Sequence, residues 1–129
     1  MRKLKLYLVD DSPYVRRSLV RVFSEINNVE LIGAGENLKK ATEFLAEHKP
    51  DVCVFDYNLP DGTATDLIKY SKKSNEKVIN IVISNIADVK LKKVILNSGA
   101  DYFFDKADEI DELISLIEKL ASNFTKASN

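Results

Sequence analysis

The chain has one cysteine, Cys53, and one histidine, His48. A lone thiol excludes an internal disulfide framework and a multi-thiolate metal site. A lone histidine leaves one imidazole for any histidine-based chemistry. Glycine and proline are scarce, four and three in 129 residues, which excludes collagen-like and low-complexity classes. Neither sign of charge is in excess: 19 Lys and Arg stand against 20 Asp and Glu, a formal net charge of −1. That balance provides no overall basic field for holding nucleic acid or an anionic membrane. No run approaches the roughly 20 apolar residues of a membrane helix. The start, Met1-Arg2-Lys3-Leu4-Lys5, alternates charged and apolar residues where a signal peptide would be continuously apolar. These absences predict a soluble, reduced, cytoplasmic protein. The 45% of apolar residues is ample for one core in a chain of single-domain size.

What the chain does have is alternation between short strand-like and longer helix-like runs. Leu4 to Val9 reads as a strand, and Ser12-Pro13 supplies an N-cap and first helical residue for a helix carrying Val15, Leu19, Val22, Phe23 and Ile26. Val29 to Ile32 reads as a second strand ended by Gly33. Leu38, Ala41, Phe44 and Leu45 mark a second helix capped by Asn37 and stopped by Pro50. Val52 to Phe55 is a fully apolar third strand ending in Asp56. After the turn Leu59-Pro60-Asp61-Gly62 a third helix runs from about Ala64 to Ser71. Val78 to Ile83, a helix around Leu91, Val94 and Ile95, Tyr102 to Phe104, and a last helix with Ile110, Leu113, Ile114, Ile117 and Leu120, capped by Asp108, complete the pattern. The predicted fold is α/β: five parallel strands with helices on both faces, a domain over residues 1–122 and a fraying tail over 123–129. In such folds ligands bind beyond the carboxyl ends of the strands, where the strand order reverses.

The residues at those ends are Asp10 and Asp11 after the first strand, Asp56 after the third, Ser84 after the fourth and Lys106 after the fifth. Clustered carboxylates are hard ligands suited to Mg²⁺. A carboxylate can also act as a nucleophile and become an aspartyl phosphate. A lysine ammonium and a serine hydroxyl suit phosphoryl oxygens. Taken singly, each has an ordinary reading: Asp10-Asp11 as a solvated turn, Asp56 as a loop carboxylate, Ser84 as a cap, Lys106 as a surface lysine. Taken together, in a fold that gathers strand ends, they point to metal-assisted phosphoryl transfer. Arg16, Arg17 and Arg21 read as a solvated helix face, His48 as a surface residue and Cys53 as an inert core thiol.

Leu8-Val9-Asp10-Asp11-Ser12, Asp56-Tyr57-Asn58-Leu59-Pro60-Asp61-Gly62, Val82-Ile83-Ser84 and Gly99-Ala100-Asp101-Tyr102-Phe103-Phe104-Asp105-Lys106 resemble, in order and spacing, the receiver domain of bacterial two-component response regulators. The resemblance spans Lys3 to about Leu120. It implies the flavodoxin-like strand order, for which a chemotaxis receiver is a general example. By position it implies Asp56 as phosphoacceptor, and Asp10, Asp11, Asp56 and the Asn58 backbone carbonyl as the shell of Mg²⁺ (or Mn²⁺). It further implies Ser84 and Lys106 as phosphoryl contacts, Ser84 and Phe103 as the switch pair, and Asn58, Asn85 and Ala87 as positions that tune the phosphate's lifetime. Phe103 also reads simply as core, and Asn85 as a helix cap.

The implied partners are a sensor histidine kinase or phosphotransfer protein upstream and a protein target on the face formed by the fourth helix, fifth strand and fifth helix. The same face would serve a phosphorylation-dependent homodimer. Leu116, Leu120 and the Lys90, Lys92, Lys93 cluster read either as part of a partner patch or as a solvated run with one stray leucine. Neither direct nucleic-acid binding nor membrane attachment is expected, and the protein would be a switch, not an enzyme, that slowly hydrolyses its own aspartyl phosphate. Three departures from the family stand out: Ala107 follows Lys106 where many members have proline, Asn85 follows Ser84 where a small residue is commoner, and Asn58 and Ala87 occupy the positions that tune the phosphate's lifetime. The short tail points to a stand-alone receiver; the front of a longer DNA-binding regulator and an adaptor independent of phosphorylation are the alternatives. An aspartyl phosphatase would need Asp-x-Asp after the first strand. An FMN carrier would need a Ser/Thr/Gly-rich phosphate loop there, which Asp10-Asp11 would oppose by charge.

Overall fold

A computed structural model describes residues 2–85 and 88–127, with side chains as far as 124. Five strands, β1 (Leu4–Val9), β2 (Val29–Gly35), β3 (Val52–Asp56), β4 (Ile79–Ser84) and β5 (Tyr102–Asp105), alternate with five helices, α1 (Pro13–Ser24), α2 (Leu38–Glu47), α3 (Thr65–Ser74), α4 (Val89–Asn97) and α5 (Ile110–Ala127). The strands form one parallel sheet in the order β2-β1-β3-β4-β5. This is the flavodoxin-like arrangement. The chain leaves β1 for β2 on one side and returns to β3 on the other, so the crevice between the β1 and β3 ends is the switch point.

Period-two alternation divides the strand side chains between two cores. Tyr7, Val9, Cys53, Phe55, Val82 and Phe103 face α2, α3 and α4, meeting Ala41, Leu45, Leu67, Ile68 and Ile95. Leu6, Leu8, Val54, Ile81 and Ile83 face α1 and α5, meeting Leu19, Phe23, Leu113 and Ile117. Helix starts follow local chemistry: Ser12 Oγ accepts from Val15 N, Asn37 Oδ1 from Lys40 N and Asp88 Oδ1 from Lys90 N.

Four sequence expectations are corrected. β2 continues through Gly33 to Gly35. Gly33 is not a stop: a Cβ there would sit 2.8 Å from the Phe44 ring, and one at Gly35 would sit 2.7 Å from Tyr7 Oη. Both glycines make room for the stacked Tyr7 and Phe44 rings, whose centroids are 4.1 Å apart. Gly35→Ala is therefore expected to cost about 1–3 kcal/mol by overpacking, read as a lower denaturant midpoint at unchanged slope. The last helix does not end near 122. It runs to Ala127, with Phe124 packed against the α1/α5 core and Arg2 4.7 Å above its ring. Asp108 does not cap it, because the Glu109 carbonyl accepts the first helical bond, from Leu113 N, at 3.0 Å. Leu116 is not a stray surface leucine but packs, half-buried, on the same core with Leu120.

His48 is exposed and stacks on Phe44 at 4.3 Å. Cys53 is fully buried, and burial followed by the charge of Asp51 pushes its thiol pKa up, which makes it unreactive. Among the described residues no helix is long and apolar enough to cross a membrane.

Candidate functional site

The carboxyl ends of β1 and β3 deliver Asp10 and Asp56 side by side, since Val9 pairs with Phe55 in register. Asp10 is wholly buried and Asp56 is 6% exposed, while Asp11 stands exposed at the rim. One carboxylate oxygen from each of the three lies within 4.8 Å of the others. Asp10 Oδ1 accepts from Ser12 N at 2.9 Å, which orients the carboxylate. Its Oδ2 is buried without a hydrogen bond, although the Lys106 ammonium lies 2.8 Å away as an ion pair.

Lys106 reaches the crevice from the end of β5. Its Nζ donates to Asp56 Oδ2 at 3.1 Å, and its backbone N–H donates to the Ser84 carbonyl at 2.9 Å. The turn after β5 is fixed by Asp105, whose Oδ1 accepts from Ala107 N and whose own N–H donates to Glu109 Oε1. Burial works against the ammonium, but the Asp10 and Asp56 carboxylates outweigh it and hold the Lys106 pKa above its usual value. Burial dominates at Asp56, with the Asp10 charge and Asp11 adding to it. Against the opposing pull of Lys106 they raise its carboxyl pKa to about 6.

These oxygens fit a divalent cation. Three carboxylates supply hard donors that converge within 4.8 Å, with the single Lys106 ammonium against two of them to balance their charge.

The remaining sequence-derived residues fall around this centre. Asn58 is exposed, two residues past Asp56, in a two-residue antiparallel ladder with Thr63. Ser84 is buried at the end of β4, one residue beyond Ile83, the register partner of Asp56. Phe103 is 9% exposed and lies in the core cluster with Val82, Ile95 and Ala100, so its ring is already inside. Asn85 is exposed and lines a cavity of about 200 Å³ with Tyr14, Val15, Ser18, Leu19, Lys106 and Ile110. Ala87 lies outside the described residues.

Two residues near the site escaped sequence reading. Arg16 does not belong to a solvated face: it is half-buried, donates from Nη1 to the Asp10 carbonyl at 2.8 Å and pairs with Glu36 at 3.9 Å. Its place in the first turn of α1, six residues after Asp10, was the available signal. Asp61, read only as part of a turn, accepts at Oδ1 from Leu38 N (2.8 Å) and at Oδ2 from Lys39 N (3.1 Å). These backbone donors, Leu38 foremost, hold its carboxyl below its ordinary pKa.

Comparison with known proteins gives a consistent result. The family model described as response regulator receiver domain matches residues 6–118. The virulence transcriptional regulatory protein PhoP of Salmonella typhimurium is 26% identical over 117 residues, 91% of this chain and 51% of that protein. A protein-glutamate methylesterase/protein-glutamine glutaminase of Clostridium acetobutylicum is 30% identical over 122 residues, 93% of this chain and 35% of that protein. The chain thus spans about half or less of the length of these relatives. Among solved structures, the receiver domain of Francisella response regulator 1452 superposes with a TM-score of 0.80 at 25% identity, covering 95% of this chain and 99% of that one. The CheY-like receiver domain protein of Methanospirillum hungatei JF-1 superposes with a TM-score of 0.81 at 20% identity, covering 97% and 98%.

Proposed function

Because this chain belongs to the response regulator receiver domain family, we propose that it is a phosphorylation switch in which Asp56 accepts a phosphoryl group from a histidine kinase or phosphotransfer protein. The observation that carries this reading is the convergence of Asp10, Asp11 and Asp56 within 4.8 Å, with the Lys106 ammonium at 3.1 Å from Asp56. An Asp56 oxygen attacks phosphorus, the P–N bond of the donor's phosphohistidine breaks, and its electron pair stays on the imidazole nitrogen. Lys106 stays against Asp56 and offsets the charge that gathers on the phosphoryl oxygens. Asp10, held by Ser12 N, and Asp11, at the open rim, would hold Mg²⁺ or Mn²⁺ together with Asp56 and the Asn58 carbonyl. When bound, such an ion would supply positive charge for the transferring oxygens.

Ser84, at the end of the strand beside Asp56, contacts the phosphoryl group, and with the Phe103 ring, which is already buried here, forms the switch pair read on the α4–β5–α5 face. That face carries Val94 at 58% and Tyr102 at 39% exposure and suits a downstream protein or a second copy. Asn85, which lines the same cavity as Lys106, with Asn58 and Ala87, sets how long the phosphate survives. The protein acts in the cytoplasm, where such kinases present their phosphohistidine, and is not an enzyme beyond hydrolysing its own acyl phosphate.

The cation reading is tested by calorimetric titration. Asp11→Asn is expected to weaken Mg²⁺ at least 10-fold, the scale on which lost metal contacts act, while leaving stability near wild type because Asp11 is exposed. An unchanged Mg²⁺ affinity would remove Asp11 from the shell.

A further inference from the structure

The loop between β3 and α3 carries Asn58, and several contacts make it rigid. Tyr57 N donates to the Ile83 carbonyl and Ala64 N to the Tyr57 carbonyl, both at 2.9 Å. Between them Asn58 pairs with Thr63 and Leu59 with Gly62. Asp61 sits in the turn joining these two short strands, and its carboxylate spans the first two backbone N–H groups of α2, 22 and 23 residues away in sequence. A helix start leaves such donors without partners inside the helix and favours negative charge. Asn37, the helix's own cap, takes the next N–H, from Lys40. Gly62 has a φ of 150°, and a Cβ there would lie 2.5 Å from Leu38 Cδ1, so the loop and the helix start are in direct contact. The helix in turn is anchored in the core by Ala41 and Leu45.

We propose that Asp61 is a positioning residue for the phosphoryl-transfer site: by clamping the turn to the start of α2 it fixes the short ladder and so the backbone of Asn58 beside Asp56. This rests on the reading that the Asn58 carbonyl completes the cation's shell. The role differs from simple capping. Asn37 also caps α2 but has no covalent route to the loop within the ladder, whereas Asp61 holds both elements.

The test compares Asp61→Ala, Asp61→Asn and Asn37→Ala in the full chain. Mg²⁺ affinity is measured by calorimetry, and phosphoryl uptake from a small phosphodonor is followed across Mg²⁺ concentration. Both alanine variants lose a helix cap and melt lower. Only Asp61→Ala is expected to weaken Mg²⁺, by about 10-fold, with Asp61→Asn in between because it keeps one acceptor oxygen. Uptake by Asp61→Ala should recover to the wild-type rate at saturating Mg²⁺. Wild-type affinity in Asp61→Ala, or an equal loss in Asn37→Ala, overturns the positioning role and leaves only helix capping. Absence of Mg²⁺ binding in the wild-type protein would overturn the underlying reading of the site as well, so the two failures are distinguishable.

Discussion

Asp56→Asn is expected to take up no phosphoryl group from any donor and, in metal-free buffer, to be more stable than the wild-type protein at neutral pH. The first result follows from the proposed nucleophile: an amide cannot form the acyl phosphate, and of the two buried carboxylates that Lys106 contacts, Asp56 is the more accessible. Asp10 is more deeply buried, with one oxygen turned to Ser12 N.

The second result follows from burial. A carboxyl whose pKa is raised from 3.8 to about 6 in the folded state binds its proton more tightly folded than unfolded. Its contribution to stability is therefore greatest at low pH, declines as pH rises from about 4 through about 6, and stays at its lower level above that. At neutral pH the ionised Asp56 costs on the order of 2 kcal/mol, and asparagine removes the cost. Denaturant unfolding in EDTA should show the variant ahead at pH 7.5 and the difference shrinking toward pH 4. A difference that stays constant across that range would mean that Asp56 is not the strained group. Stabilisation on removing its charge would mark a site that trades stability for function.

Lys106→Met separates the charge of the lysine from its packing. Its side chain is 7% exposed and lies against two buried carboxylates. Removing one partner of a buried pair leaves uncompensated charge, so stability in EDTA at pH 7.5 should fall by about 3 kcal/mol. Two further effects should run in opposite directions. Mg²⁺ should bind more tightly, because a competing cation is gone from 2.8 Å of Asp10 Oδ2. Phosphoryl uptake should slow by about 100-fold, because a preorganised donor to the transferring oxygens is lost. A variant that binds Mg²⁺ more weakly would show that Lys106 supports the cation site instead of competing with it.

Much of this site is visible in the sequence because the fold makes it so. Once Val52 to Phe55 and Leu4 to Val9 are recognised as neighbouring parallel strands, Asp10 and Asp56 must meet at the switch point. Lys106, just past β5, comes in over Ser84. Each depends on strand periodicity and on one residue at a strand end, both local signals. What stayed hidden depends on distant partners. Gly33 resembles a strand stop until Tyr7, on the neighbouring strand, is seen stacked on Phe44. Phe124 belongs to a helix because Arg2 and the α1/α5 core receive it. Arg16 folds back to a backbone carbonyl, which no charge pattern reveals. Asp61 reads as a turn residue because its helix partners lie more than 20 residues earlier.

A crevice built for cation-assisted phosphorylation of Asp56 must carry the phosphoryl group on that residue and gain it only with the cation present. The direct measurement is intact mass after incubation with a small phosphodonor, with Mg²⁺ and with EDTA, followed by peptide mapping of the modified residue. The expected result is a gain of one phosphoryl group in Mg²⁺, none in EDTA, and its location on the peptide containing Asp56. Equal gain in EDTA, or a phosphoryl group mapped to Asp10 or Asp11, would contradict it.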